Sequence, residues 1–351
     1  MRADHDLAFM MRYENIAWYE DGIVKILDRR IYPNEVSYVI CNTHEEVARA
    51  IKDMVTQSAG PYVAAAMGMV LAAHECEDMD EGSRLDFLEK AAVTLSTARP
   101  TTKKRMQIVT GASLDAAKAA MEEGRDITDA LFDEAFFQNE RRYRAIEKTA
   151  GHLVSLFPKG GKVMTQCFAE TVLALMLRLC KEKGNEIKLF CPETRPYFQG
   201  SRLTASVAHD MGFDVTVITD NMPACVMKNE GIDIFTSAAD AICMDGSVIN
   251  KVGTYQIAIA AKYHGIPYYV TGAPELGHPT GADVVIEQRD PDFVLQAMGV
   301  KTAMEGVKGY YPAFDLTPPE LVTGVVTDKG IFKPGELDKY YADGVRGGFL
   351  V

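Results

Sequence analysis

Apolar residues follow two rhythms along this chain, and the rhythm changes near residue 158. In the first half they recur mostly at helical spacing. Val47, Ile51 and Val55 share one helix face, and Thr43-His44-Glu45-Glu46 is a capping-box start for that helix. The stretch from Thr56 to Pro61 breaks it, and Pro61 opens a second helix, PYVAAAMGMVLAAHE, whose small residues suit close packing. Further helical stretches are predicted from about 81 to 97, 113 to 123 and 127 to 157. Ahead of them, IAWYEDGIVKILDRR sets Asp21-Gly22 between two apolar-rich runs, a hairpin signal.

After Pro158-Lys159-Gly160-Gly161, apolar runs of strand length alternate with helical stretches. The strands are KVMTQ, EIKLFC, DVTVITD, IDIFTSAADAI and PYYVTGA. The helices between them are expected at 168–183, 201–211, 222–230 and 250–263. Strand and helix in alternation predict a parallel sheet clothed by helices. The expected fold class is α/β in two domains. Residues 1–145 form a mostly helical domain with a small antiparallel sheet. Residues 146–351 form a Rossmann-like domain, a parallel sheet with helices on both faces.

Ligands of open parallel sheets bind beyond the carboxyl ends of the strands. Those ends carry Gln166-Cys167, then Glu193-Thr194-Arg195, Asp220-Asn221, Asp240, and Gly272 to Glu275. Asn250-Lys251 is expected at a helix start, where unpaired backbone N–H groups and a lysine suit a phosphate. A thiol, carboxylates, an amide and a lysine would then meet in one crevice. By position alone Cys167 stays open, since a single cysteine after a strand is more often structural than catalytic. Asp220 reads as a helix cap. His74-Glu75-Cys76-Glu77 reads as a solvated helix end rather than a metal site, Trp18 as core, and Tyr310, Tyr311 and Phe314 as core or interface.

Composition narrows the classes. The 351 residues are 47% apolar and 25% charged, as in globular proteins, with a formal net charge of −12. That charge argues against a nucleic-acid surface, though not against a local anion site. No apolar run is long enough to cross a bilayer, and the N-terminus lacks a secretory pattern. Seven scattered cysteines without a Cys-x-x-Cys pair indicate neither a disulfide framework nor a zinc site, which fits a reducing, cytoplasmic compartment. No G-x-G-x-x-G follows the first strand and no G-x-x-x-x-G-K-[ST] loop occurs, which argues against a nicotinamide oxidoreductase and against ATP hydrolysis.

Several stretches together resemble the methylthioribose-1-phosphate isomerases, whose fold is shared with ribose-1,5-bisphosphate isomerases and with regulatory subunits of a translation initiation factor exchange complex. They are AWYEDGIVKILDRRIYPNEV, AAAMGMVLAA, ARPTT at 98–102, ETRPYFQGSRLTA, AADAICMDGSVINKVGTYQIAIAAKYHGIPYYV, EQRDPDFV and PAFDLTPPELVTGVVTDKG. The resemblance implies an isomerase that turns a cyclic aldose 1-phosphate into the open-chain ketose 1-phosphate. It implies catalysis by Cys167 and Asp240, and substrate contacts at Arg99, Gln199, Asn250 and Lys251. It also implies a homodimer, a small phosphorylated sugar as substrate, and no cofactor or metal. Two departures stand out. The family's loop arginine before the Ala-rich helix is absent, and Thr56-Gln57-Ser58 occupies the loop, so Gln57 and Ser58 become candidate contacts. The family's His-Cys-Asn-x-Gly is here Gln166-Cys167-Phe168-Ala169-Glu170. Both departures fit a paralogue for which 5-deoxyribose 1-phosphate is an alternative to methylthioribose 1-phosphate; a non-catalytic regulatory relative of the same fold is the other alternative.

Overall fold

The computed structural model describes residues 1–99 and 103–344. It divides into two compact units, one of residues 1–145 and one beginning at Ile146. The first holds a three-stranded antiparallel sheet of β1 (Ala17–Glu20), β2 (Ile23–Leu27) and β3 (Tyr38–Cys41). Asp21 and Gly22 both take positive φ, 49° and 77°, which is the backbone of a twist-matched two-residue hairpin turn. Trp18 is only half-buried and packs edge-on to Phe132, with ring centroids 5.1 Å apart.

Helices α1 (His44–Lys52), α2 (Gly60–Glu75), α3 (Glu81–Thr97) and α4 (Lys103–Glu123) follow, and α5 (Ile127–Val154) runs across the division. Thr43 caps α1 by accepting from the Glu46 N–H, but the reciprocal Glu46 carboxylate takes the N–H of Asn42, one residue earlier than the expected capping box. α2 starts at Gly60, one residue before the predicted proline, and is buried from Val63 to Ala73, a core helix apolar on every side. α4 begins about ten residues earlier than its sequence signal. Its first turns carry Lys103, Lys104 and Arg105 without an apolar stripe, so the start is set by tertiary packing. The end of α2 is not simply solvated. Cys76 is fully buried and Glu75 accepts from both the backbone N–H and Nδ1 of His44.

The second unit is built on a seven-stranded sheet. In chain order its strands are β4 (Lys162–Met164), β5 (Lys188–Pro192), β6 (Asp214–Ile218), β7 (Ile234–Ala238), then β10 (Tyr268–Thr271), β14 (Gly324–Thr327) and β15 (Gly330–Phe332). Their spatial order is β15-β14-β10-β7-β4-β5-β6, all parallel except β15. The chain builds from β4 toward β6, then restarts on the other side of β4 with β7. Order reverses between β4 and β7, which is where open α/β sheets leave a crevice. The expected fourth strand is in fact two elements: β7 ends at Ala238, and β8 (Ala241–Ile242) joins a separate antiparallel sheet with β9 (Val248–Lys251) and β13 (Phe314–Thr317). A short hairpin, β11 (Gln296–Ala297) with β12 (Val300–Lys301), lies between β10 and β13 in sequence.

The remaining helices are shorter than their apolar stretches. They are α6 (Thr171–Glu182), α7 (Ala205–Asp210) behind a π-helical turn at Gly200–Thr204, α8 (Pro223–Val226) with a second such turn at Met227–Gly231, and α9 (Thr254–Tyr263). The core of this unit gathers Met164, Phe190, Phe235, Val270 and Val325 from the sheet with Ile257 and Ala261 from α9. Phe235 and Tyr268 stack at 4.4 Å between centroids.

Candidate active site

Cys167 stands three residues beyond β4, and Asp240 two beyond β7, the strands flanking the reversal. The backbone of Cys167 is in the left-handed region, φ 59°, as are nearby Glu170 (46°), Thr194 (65°) and Phe198 (57°). A non-glycine residue held there costs free energy, so its surroundings must fix it. Two threonines do so. The Cys167 N–H donates to Thr194 Oγ1 at 3.2 Å, and Thr204 Oγ1 donates to the Cys167 carbonyl. Thr194 is itself anchored, because Asp220 accepts from the N–H groups of Thr194 and Arg195 at 2.8 and 2.7 Å. Asp220 is therefore a brace between the ends of β5 and β6, not a helix cap. Thr194 is among the strand-end residues legible in the sequence, whereas Thr204 is not singled out there. The signal for them lies in the ETRPYFQGSRLTA stretch, where both occur.

The Cys167 thiol is pushed up to about 11, first by burial; the Lys251 cation pulls it down and the Asp240 carboxylate pushes it up. Behind Cys167 lies a cavity of about 20 Å³ walled by Leu153, Val172, Leu173 and Met176. Hydroxyls also border it, but Thr236, Ser237 and Thr271 spend theirs on backbone carbonyls. The surroundings offer a thiolate little solvation, so the group keeps its proton at neutrality.

Asn250 and Lys251 do not open a helix. They end strand β9, both about 95% buried, and α9 begins at Thr254. Strand register sets Lys251 opposite Phe314 and Asn250 opposite Asp315. The Lys251 ammonium lies 5.0 Å from the Phe314 ring centroid and 5.9 Å from that of Tyr311. Burial pulls its pKa down, with the neighbouring Arg289 cation adding to that. The α9 N-terminus is capped from across the sheet: Asp315 accepts from Gly253 N at 2.6 Å and from Tyr255 N at 3.2 Å. Gly253 has φ 105°, which no ordinary side chain tolerates, and a Cβ there would come within 2.9 Å of Gln166 Nε2. Gln166 donates that same nitrogen to the Val252 carbonyl, joining the β4 end to the β9–α9 turn. Tyr311 is 2% exposed, as a core residue should be, whereas Tyr310 is 77% exposed and is not core.

Gln199 is buried at the π-helical turn, and its carbonyl Oε1 has no hydrogen-bond partner among the described residues. In the first unit, Gln57 is buried just before α2, with its Oε1 likewise unpartnered and its backbone carbonyl accepting from the fully buried Arg29 at 3.0 Å. Ser58 is exposed with φ 58°, and Arg99 is half-buried after α3. Pro100, Thr101 and Thr102 of the ARPTT stretch lie outside the described residues. Cys167, Asp240 and Lys251 are thus electrostatic neighbours in the second unit, with Asn250 beside Lys251 on β9, while Gln57, Ser58 and Arg99 belong to the first.

Residues 56–334 match the family model described as the initiation factor 2 subunit family. The chain is 37% identical over 331 residues to methylthioribose-1-phosphate isomerase 1 of Pseudothermotoga lettingae, covering 90% of this chain and 94% of that one. It is 37% identical over 330 residues to 5-deoxyribose 1-phosphate isomerase of Bacillus anthracis, covering 91% and 94%. The crystal structure of 5-methylthioribose 1-phosphate isomerase from Pyrococcus horikoshii superposes with a TM-score of 0.84 at 28% identity, over 98% of this chain and all of that one. With most of its length matched by that model and by relatives above 30% identity, this chain belongs to the initiation factor 2 subunit family.

Proposed function

We propose that the protein is an aldose–ketose isomerase acting on a 5-substituted ribose 1-phosphate, with methylthioribose 1-phosphate as the first substrate. The observation that carries this is the seating of Cys167 and Asp240 beyond adjacent strands at the sheet's reversal, with Lys251 electrostatically coupled to both. In the reaction the bond from C1 to the ring oxygen breaks, hydrogen moves from C2 to C1, and the C2 hydroxyl gives up its proton to become a carbonyl. The ring oxygen gains a proton, so atoms and electrons balance within the substrate. Asp240 serves as acid/base at the ring oxygen or at C1–C2. Cys167, protonated at neutrality, is its partner in proton transfer. Asn250 and Lys251 hold the phosphate end, and the unpartnered Gln199 Oε1 accepts from a sugar hydroxyl. Supporting 5-deoxyribose 1-phosphate as a second substrate is the equal identity to a relative of that name.

Cys167→Ser and Asp240→Asn should each lower kcat by about 10²-fold or more while leaving the melting temperature near wild type. Either variant turning over at the parent rate would remove its residue from the mechanism. Specificity constants for methylthioribose 1-phosphate, 5-deoxyribose 1-phosphate and ribose 1,5-bisphosphate, measured side by side, choose the substrate. In the N-terminal unit the resemblance names Gln57, Ser58 and Arg99 as contacts, and an unchanged KM in Arg99→Ala would drop that residue. The proposal includes a homodimer in the cytoplasm, with light scattering as its test.

A further inference from the structure

The loop before α2 lacks an arginine, yet a sugar phosphate carries two negative charges. The second unit holds a guanidinium where one is wanted. Arg289 lies on a segment tied to the stretch leading into β13, with its N–H on the Tyr311 carbonyl at 2.9 Å and the Ala313 N–H on the Glu287 carbonyl at 2.8 Å. Its Nε donates to Glu287 at 2.9 Å. That leaves two terminal nitrogens which, among the described residues, donate no hydrogen bond of normal geometry, and the same holds for Lys251 Nζ. Both cations sit on one ring: Arg289 Cζ is 5.8 Å and Lys251 Nζ 5.0 Å from the Phe314 centroid. Tyr197 walls the other side, its ring 5.9 Å from Arg289 and 6.3 Å from Tyr311. Tyr311 is 2% exposed, beside both cations, and its hydroxyl faces the Arg289 guanidinium, which works against burial on its pKa, without a hydrogen bond of normal geometry among the described residues.

The two cations are close enough to disfavour each other; the Glu287 carboxylate on Arg289 Nε and Asp240 near Lys251 offset part of that cost, and the donors left against the aromatic walls suit a further anion. A buried hydroxyl left unpaired costs free energy as well. A phosphate oxygen would answer all three deficits at once, and only a guanidinium can meet it with two parallel donors. Glu287 orients Arg289 through Nε. Resting on the function proposed above, we infer that Arg289 and Tyr311 are phosphate-binding residues, which with Lys251 form the anion pocket for the substrate's 1-phosphate.

The test uses inorganic phosphate as the probe, with chloride at matched ionic strength as control, and reads the melting temperature. Phosphate should raise it for the wild type, Arg289→Gln should lose most of that rise, and Tyr311→Phe should lose part. With the sugar 1-phosphate, Arg289→Gln should raise KM about 10- to 100-fold while kcat moves by no more than a few-fold, about 1.4 kcal/mol of binding for each factor of ten. Arg289→Lys keeps the charge without the fork and should fall between; it carries the test if the glutamine variant does not fold. No phosphate shift in the wild type, or a parental shift and KM in the variants, overturns the inference. If phosphate binding depends on Arg289 but no sugar 1-phosphate turns over, the pocket stands and the isomerase reading falls.

Discussion

Cys167 joins three constraints: a left-handed backbone, two threonine hydrogen bonds and a desolvated thiol. Its alkylation follows from the thiolate fraction. Iodoacetamide labelling of Cys167, followed by mass spectrometry, should be slow at pH 8 and rise with pH toward a midpoint near 11. Lys251 pulls the thiol's pKa down, so Lys251→Met should move that midpoint further up and slow labelling at any fixed pH. A midpoint near that of an ordinary thiol would mean the group is solvated. The brace gives a second outcome. Thr194→Val removes the acceptor for the Cys167 N–H and should destabilise the fold by about 1–3 kcal/mol, the cost of a buried donor left unpaired. A denaturant midpoint matching the parent would show that the left-handed turn holds without it. None of this was visible from the cysteine's neighbours in sequence. Thr194 lies 27 residues from Cys167 and Thr204 lies 37, so nothing local marks them as its partners.

At the scale of elements, α9 and its cap show what periodicity misses. The apolar pattern announces a helix through 263, and the chain obliges, but the start falls at Thr254 because Asn250 and Lys251 pair with β13. The N-terminus then draws its cap from Asp315, which burial pushes up to about 6 despite the two N–H groups that favour its charge. A carboxyl raised above its unfolded value binds its proton sooner in the folded chain. This group therefore adds stability as pH falls through about 6 toward 4, and withdraws it as pH rises. Asp315→Asn removes that slope, so the variant's melting temperature relative to wild type should be higher at pH 7 than at pH 5. Equal differences at both values would place Asp315 in ordinary solvent. β7 and β8 teach the same lesson, since one apolar run divides between two sheets around Asp240, and only the partners on either side dictate the break.

At the scale of the whole molecule, the net charge of −12 opposes the approach of a phosphate dianion. Local cations act within about a Debye length, roughly 10 Å at 0.1 M salt, while the repulsion reaches further when salt is low. Raising ionic strength from about 10 to 50 mM should therefore raise kcat/KM with the sugar 1-phosphate. A steady fall would show that the pocket's positive field governs encounter. The sequence by itself determined the two-part architecture, most strand positions, the hairpin at Asp21-Gly22 and the residues Cys167, Asp240, Asn250 and Lys251 as candidates. Those features depend on local propensity, on periodicity, or on a family's retained stretches, all of which are written in chain order. Tertiary structure alone decided that order reverses between β4 and β7, that Lys251 ends a strand against Phe314, and that Arg289 and Tyr311 turn toward it. These depend on which strands pair and in which register, a choice made by burying shared apolar faces between segments tens of residues apart, and no local pattern encodes it.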